Sequence, residues 1–412
     1  MRILHLNSDD VLDREKVIVA LEEKRSQFEG YAGDLRRQRD AVRTRLATIQ
    51  EYDSFALDHY LITTGEGSPG ALPTPEWDQA NNLCMPFGQK WASHQDARAW
   101  ALEVLTGRPV AAVDGSQIVP SKDYNLPVGA VQVGWFINPH EAGTPYIKDV
   151  SFQVFGPAEL AEDEESEGDD RALPNWRVNQ ERFVRECEQL CTIMASYADA
   201  PQRAKPLCFF DGSLIISFVG PMRTEQAAPY IAAVNKLLNC SAQSRVPLVA
   251  FVDRSYSRDF VKLVDLVSGK RGAGELTLSD AALFEPLLPN WGDRSPLFYC
   301  ARADKLSQAN RVPFYTDVAF TYVRLTRDRV PARVEMPRWI VEEELAEEIL
   351  DLVRAECVVG TGYPYAAETA DALAVISHAD RQRFYNLFEQ FALKSGLELV
   401  QARKAASKVA RR

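Results

Sequence analysis

Two segments of this chain share one design, an apolar run ending in Asp-Gly-Ser: VAAVDGSQI around Asp114 and LCFFDGSLI around Asp211. Short apolar runs of this kind predict buried strands. Glycine directly after the acid lets the backbone turn sharply or approach a neighbour closely. Each segment therefore delivers a carboxylate to the C-terminal end of a strand. Asp-Gly is also a common turn pair, so one copy alone would specify only a turn; the repeated apolar lead-in points to a shared role. Two carboxylates on adjacent strands suit one divalent cation, because hard cations select oxygen ligands.

With 412 residues, 46% of them hydrophobic, the chain can bury one large core or two ordinary ones. No apolar stretch approaches the roughly 18 residues of a membrane span. The opening MRILHLNSDDVLDRE places acids where a signal peptide carries its apolar segment. A cytoplasmic protein with no membrane association is the expectation. The cysteines, scattered from Cys84 to Cys357 and mostly within apolar runs, read as reduced thiols rather than a disulfide frame.

The net charge of -11 looks unsuited to nucleic acid, but Ala158 to Asp170 alone holds eight acids and no base, leaving the remainder at -3. That run reads as a solvated acidic loop, 158–170. Gln401 to Arg412 holds five bases and no acid, a solubilising basic tail that can also meet phosphates. Global charge therefore leaves room for a local basic groove.

From about Arg14 to Ile49 the sequence is charged and free of proline, with Leu21, Phe28, Leu35, Val42 and Ile49 at seven-residue spacing. This predicts one long helix with a single apolar stripe. Arg25 and Arg39 spoil the partner column of a coiled coil, so the stripe is expected to pack on a domain or a partner. The stretch GEGSPGALPTP (Gly65 to Pro75) is read as a break in regular structure. The expected organisation is an N-terminal helical arm and linker over 1–75, a main domain over 76–400 and a tail over 401–412.

In the main domain a strand reaching Asp114 is followed by PVGAVQVGWFI and PYIKDVSFQVF, an antiparallel meander. Next come a helix from about Val178 to Tyr197, a strand ending at Asp211, a helix around Pro229 to Leu238 and the strand VPLVAFVDRS. A helix over Asp259 to Val267, a strand pair PFYTDVAFTYVRL and ARVEMPRW, a helix from Val341 to Cys357 and one long helix from about Ala366 to Lys394 complete the order. Three antiparallel strands, a helix, then strands alternating with helices is the order of the ribonuclease-H-like fold. The expected class is α/β, a mixed sheet flanked by helices.

Phosphodiester hydrolysis needs an activated water, stabilisation of phosphoryl charge and help for the leaving oxygen, all of which a pair of divalent ions supplies. Several carboxylates must then converge. The helix VNQERFVRECEQL offers Glu181, Glu186 and Glu188; Glu186, one turn after Arg182, is the choice. A fourth comes from GTGYPYAAETADALAVI, where Glu368 and Asp371 open a helix whose dipole also favours acids there. Asp371, between Ala370 and Ala372, is the more unusual placement.

Taken together, AAVDGSQ, LCFFDGSLI, VAFVDRSYSRDFVKLV, RVEMPRW and GTGYPYAAETADALAVI, spread over roughly Pro109 to Phe391, resemble the NurA family of DNA-end-processing nucleases. The resemblance implies a manganese-dependent homodimeric nuclease, with magnesium as the alternative ion, resecting DNA breaks beside the hexameric ATPase HerA. By motif, Asp114 and Asp211 match the family's metal-binding aspartates and Glu186 its helix glutamate. Asp371 falls where many members have histidine, which puts that corner in question. Asp253 in FVDRS matches a family position, with Arg254 as an expected phosphate contact; Tyr363 and Tyr365 of the YPY segment are expected DNA contacts.

Two other readings stay open on the residues alone. An actin-like ATPase shares this fold, although its loops usually separate acid from glycine. A non-catalytic clamp that holds DNA or docks an ATPase is the other; carboxylates kept in apolar settings argue against it, being costly without a ligand. The nearest approach to a phosphate-binding loop, VSGKRGAG around Lys270, lacks the upstream glycine at the required spacing.

Overall fold

The computed structural model describes residues 12–65, 67–160, 175–269, 277–302, 315–327 and 329–400. Most of the acidic run (from 161), the Lys270 segment and the basic tail 401–412 lie outside the described residues. The strands are β1 (Gly70–Pro73), β2 (Val110–Ile118), β3 (Gly129–Asn138), β4 (Ile147–Phe155), β5 (Leu207–Asp211), β6 (Leu248–Val252), β7 (Phe298–Ala301), β8 (Val318–Val323) and β9 (Ala332–Pro337). They form one nine-stranded sheet in the order β1-β7-β8-β9-β6-β5-β2-β3-β4. The longer helices are α1 (Arg14–Glu22), α2 (Arg25–Ile49), α3 (Ser54–Thr63), α4 (His94–Leu105), α5 (Asn175–Ser196), α6 (Thr224–Ser244), α7 (Asp259–Val267), α8 (Ala346–Val359), α9 (Tyr365–Ala374) and α10 (His378–Lys394).

The fold is ribonuclease-H-like. Antiparallel β2-β3-β4 continues into β5 and β6, both parallel to β2, with α5 and α6 in the crossovers. Strand alternation divides the interior into two layers. Ala111, Val113, Cys208 and Phe210 face α5, α6 and the end of α2. Val110, Ala112, Phe209 and Phe251 face α4, α8 and α9. Both faces of the central strands are therefore covered, which is why their sequences read as continuous apolar runs. Beyond β6 the sheet continues through antiparallel β9, β8, β7 and β1.

Several elements differ from the sequence reading, each for an identifiable reason. Strand β2 does not end at Asp114. It stays paired with β3 through Ile118, while its parallel pairing with β5 stops at Val113 and Phe210. The Gly65 to Pro75 stretch contains β1, which forms because β7 supplies a distant antiparallel partner. Helix α6 begins before Pro229, which sits inside it. The helix expected from Val341 starts at Ala346, after a left-handed Glu344. The expected Ala366 to Lys394 helix is two helices: α9 ends at Ala374, and Ser377 opens α10 with a reciprocal cap from Asp380.

The arm is likewise two helices, interrupted at Glu23 and Lys24. Its stripe divides. Val42 and Ile49 are buried in the first core layer with Leu35 against it, whereas Leu21 and Phe28 remain 55% and 60% exposed. An ion pair from Arg45 to Asp265 fastens the packed half to α7. Among the described residues no helix is long and apolar enough to cross a membrane.

Candidate active site

Asp114 and Asp211 occupy the positions directly after the last parallel pair, Val113 and Phe210, so the two acids stand side by side where β2 and β5 separate. Alternation aims both toward the layer of α8 and α9, the side of Ala112 and Phe209. The two glycines then act differently. Gly212 has φ of 131°, a conformation that a side chain would strain. Gly115 is needed for space: a Cβ there would lie 2.4 Å from Glu186 Oε1 and 2.9 Å from Arg182 Cγ. The missing side chain admits Glu186 from α5.

Glu186 is 3% exposed, and its Oε1 accepts from Arg182 Nη1 at 2.5 Å, an interaction across one helical turn. Arg182 Nη1 also donates to the Gly115 carbonyl at 3.4 Å. The other glutamates of α5 point elsewhere. Glu181 pairs with Arg185 at 3.4 Å and Glu188 with Lys236 at 3.3 Å.

Helix α9 brings the fourth carboxylate. It lies across β3 at Gly134, the cross-strand partner of Asp114, where a Cβ would meet the Ala374 backbone at 2.9 Å. Gln132 Nε2 donates to the Leu373 and Ala374 carbonyls at 3.2 and 3.0 Å, and Ser116 Oγ accepts from the Ile376 N–H at 3.2 Å. At the other end, the buried Glu356 accepts from the Ala366 N–H at 2.8 Å. Held at both ends, α9 sets the Asp371 carboxyl against that of Asp114. Glu368 is exposed.

Tyr363 lies in the turn before α9, and its hydroxyl donates to Asp211 Oδ1 at 2.5 Å while its ring meets Phe251 edge-on. Tyr365 packs its ring edge-on against Phe136. Arg254 is exposed, and Asp253 pairs with Arg329 at 3.4 Å.

The electrostatics follow from crowding acids at the sheet edge, where Glu186 is buried, Asp114 half-buried and Asp211 and Asp371 open to solvent. Burial pushes the Asp114 carboxyl up to about 6, with Asp211 and Asp371 adding to it and the Gly115 N–H opposing. Burial pushes Glu186 up to about 8 against the pull of Arg182, with Asp114 and Asp211 raising it further. Burial likewise raises Asp211, and the Tyr363 hydrogen bond opposes it. The carboxylates thus share one electrostatic neighbourhood with too little positive charge. Among the described residues, no three His, Cys, Asp or Glu side chains stand close enough together to hold a metal ion as placed. The donor chemistry nevertheless fits a hard divalent ion: carboxylate oxygens from four elements, with no sulfur or imidazole among them.

Glu335, within RVEMPRW, is a site-supporting residue with no role expected from the motif. This fully buried carboxylate holds the chain immediately after Asp211, accepting from Ser213 Oγ at 2.9 Å and from the Leu214 and Ile215 N–H groups at 2.7 and 3.3 Å. Arg333, also fully buried, donates to it at 2.6 Å and to Asp259 at 2.8 Å. The available signal was two opposite charges at alternate positions of one apolar strand, which places both on the same buried face.

A family model of the NurA domain matches residues 108–376. No curated protein sequence matches the chain. Among solved structures, a crystal structure of NurA with manganese is similar at 10% identity and a TM-score of 0.40, covering 69% of this chain and 89% of that one. NurA bound to dAMP and manganese matches at 11% identity and a TM-score of 0.31, covering 66% and 85%. Endonuclease V from Bacillus subtilis matches at 11% and 0.30, covering 74% and 97%. The family model spans both Asp-Gly-Ser segments, the α5 glutamate and all of α9, and on that match the chain belongs to the NurA family.

Proposed function

We propose that this protein is a divalent-metal-dependent deoxyribonuclease, an exo- or endonuclease that hydrolyses phosphodiester bonds during resection of DNA ends. The observation that carries the reading is the gathering of Asp114, Asp211, Glu186 and Asp371 from four separate elements at one edge of the sheet. These four would hold the ion or ions, with manganese the expected metal and magnesium the alternative. Bound there, a divalent metal supplies a Lewis acid for the phosphoryl oxygens and lowers the pKa of an attacking water.

The chain's own residues prepare that place. Tyr363 orients Asp211 through its hydroxyl, and Arg182 balances Glu186 while the metal is absent. Glu335 fixes the backbone after Asp211 so that the carboxylate does not drift. In this reading residues 76–400 act as the nuclease, 1–75 as an arm, and Arg254 and the tail meet phosphates. We also infer, from family membership, a homodimer working with a hexameric HerA-type ATPase in the cytoplasm. Calorimetric titration of the full chain with manganese tests the site. Saturable binding that Asp114→Ala and Asp211→Ala each weaken is expected, and no binding to the wild type would overturn the reading.

A further inference from the structure

Helices α5 and α6 run side by side in the same direction, because each leads into one of the parallel strands β5 and β6. Contacts down the seam fix their register. Gln180 Nε2 donates to the Gln226 carbonyl at 2.9 Å, the Phe183 and Tyr230 rings lie 5.1 Å apart, and Glu188 pairs with Lys236 at 3.3 Å. The sequence offset between partners grows slowly along this seam, from 46 residues at Gln180 to 48 at Glu188. Continued by one turn, the same register sets Cys191 opposite Cys240. There the two thiols hydrogen-bond to each other.

The two sulfurs differ in access. Cys191 is buried in the first core layer, whereas Cys240 is half-buried at its edge. A buried thiol reacts slowly because the thiolate is the nucleophile, and burial pushes the Cys191 thiol up. Cys240 is therefore the point of entry. The ammonium of Lys236 stands one turn before it on α6 and favours negative charge on sulfur. Cys187, one turn before Cys191 on α5, is also buried, but a bond between those two would tie the helix only to itself.

We propose that Cys191 and Cys240 form a redox-modification site, oxidised by a peroxide to a disulfide that joins α5 to α6 little more than one turn beyond Glu186. Cys240 sulfur attacks one peroxide oxygen and the O–O bond breaks, leaving a sulfenic acid and one water. Cys191 sulfur then displaces the sulfenic hydroxyl, which leaves as a second water with the Cys191 proton. Two thiols lose two hydrogens, and the peroxide is reduced to two waters. The bond closes a loop of about 50 residues that contains β5, so the unfolded chain loses freedom and the fold gains stability.

The test treats the folded full-length protein with hydrogen peroxide in EDTA, alkylates the remaining thiols and maps the unreduced tryptic peptides by mass spectrometry. Peptide 186–203 is expected joined to 237–245 through Cys191 and Cys240, with about 2 Da lost at the link, and the pair should separate after dithiothreitol. The urea midpoint should rise by about 1 M on oxidation and return on reduction. Cys240→Ser, at the half-buried position, and Cys191→Ser should each abolish the linked pair and the shift, whereas Cys187→Ser should keep both. Recovery of Cys191 and Cys240 fully alkylated after peroxide, or a link confined to Cys187 and Cys191, would overturn the site. A linked pair that leaves the urea midpoint unmoved would overturn the clamp.

Discussion

Replacing Glu186 by glutamine keeps the shape of the buried carboxyl and removes its titration. In the folded, metal-free protein Glu186 is pushed up to about 8 from an ordinary 4.5, chiefly by burial. A raised acid pKa means that the fold binds the proton more tightly than the unfolded chain does. Its contribution thus favours the fold at low pH and is lost as pH rises from about 4.5 to about 8. The full difference is worth an upper bound of about 5 kcal/mol, of which about 2 kcal/mol falls between pH 6 and 8. Asp114, raised to about 6, finishes its own loss in the lower part of this window and is common to both proteins. Urea unfolding in EDTA should therefore show the wild type losing stability against Glu186→Gln across that window, the variant being the more stable at pH 8. Groups shared by both proteins, such as the buried Glu356 at about 7, cancel in the comparison. Saturating manganese should then reverse the order, because a ligand that binds only the fold stabilises it and the variant has lost one ligand oxygen. Parallel curves for the two proteins between pH 6 and 8 would refute this placement of Glu186.

Three further outcomes are expected. Gly115→Ala puts a methyl group 2.4 Å from Glu186 Oε1, so manganese affinity by calorimetry should fall about tenfold, as it does when groups that orient ligands are disturbed. Glu335→Ala leaves Arg333 buried without this carboxylate and frees two backbone N–H groups, which should cost about 3–5 kcal/mol by urea unfolding. Removing residues 1–28 takes away the exposed half of the arm and spares the buried Val42, Leu46 and Ile49. Cleavage of a short oligonucleotide should survive this truncation while ATP-dependent digestion with a HerA-type ATPase is lost; unchanged digestion would rule out the exposed stripe as the docking surface.

The parts of this architecture that depend on local pattern were legible in the sequence. An acid directly after an apolar run, twice, was enough to set Asp114 and Asp211 on neighbouring strands, because burial of both sheet faces writes itself as a continuous apolar segment. Elements that exist only through distant partners were not. The four residues of β1 sit among glycines and prolines and form a strand because β7 is there to pair with them. The break between α9 and α10 had a readable mark, Ser377 with Asp380 three residues on, but the alanine-rich stretch before it obscured the stop. Arg182 one turn earlier marks Glu186 out from Glu181 and Glu188 in the sequence, but its seat against Gly115, a contact between elements about 70 residues apart in the chain, leaves no local mark. The tie from Tyr363 to Asp211 spans 152 residues and carries no local signature at all.

Joined as proposed, these carboxylates form one metal-dependent hydrolytic centre. Cleavage of a labelled DNA oligonucleotide by the full-length protein, measured with manganese, magnesium, calcium or EDTA beside Asp114→Ala of confirmed fold, tests that centre. Cleavage is expected with manganese, slower with magnesium, absent with calcium or EDTA and absent for the variant with any ion, since manganese binds oxygen sites more tightly and tolerates irregular geometry better than magnesium. Wild-type rates from Asp114→Ala, or cleavage that persists in EDTA, would contradict it.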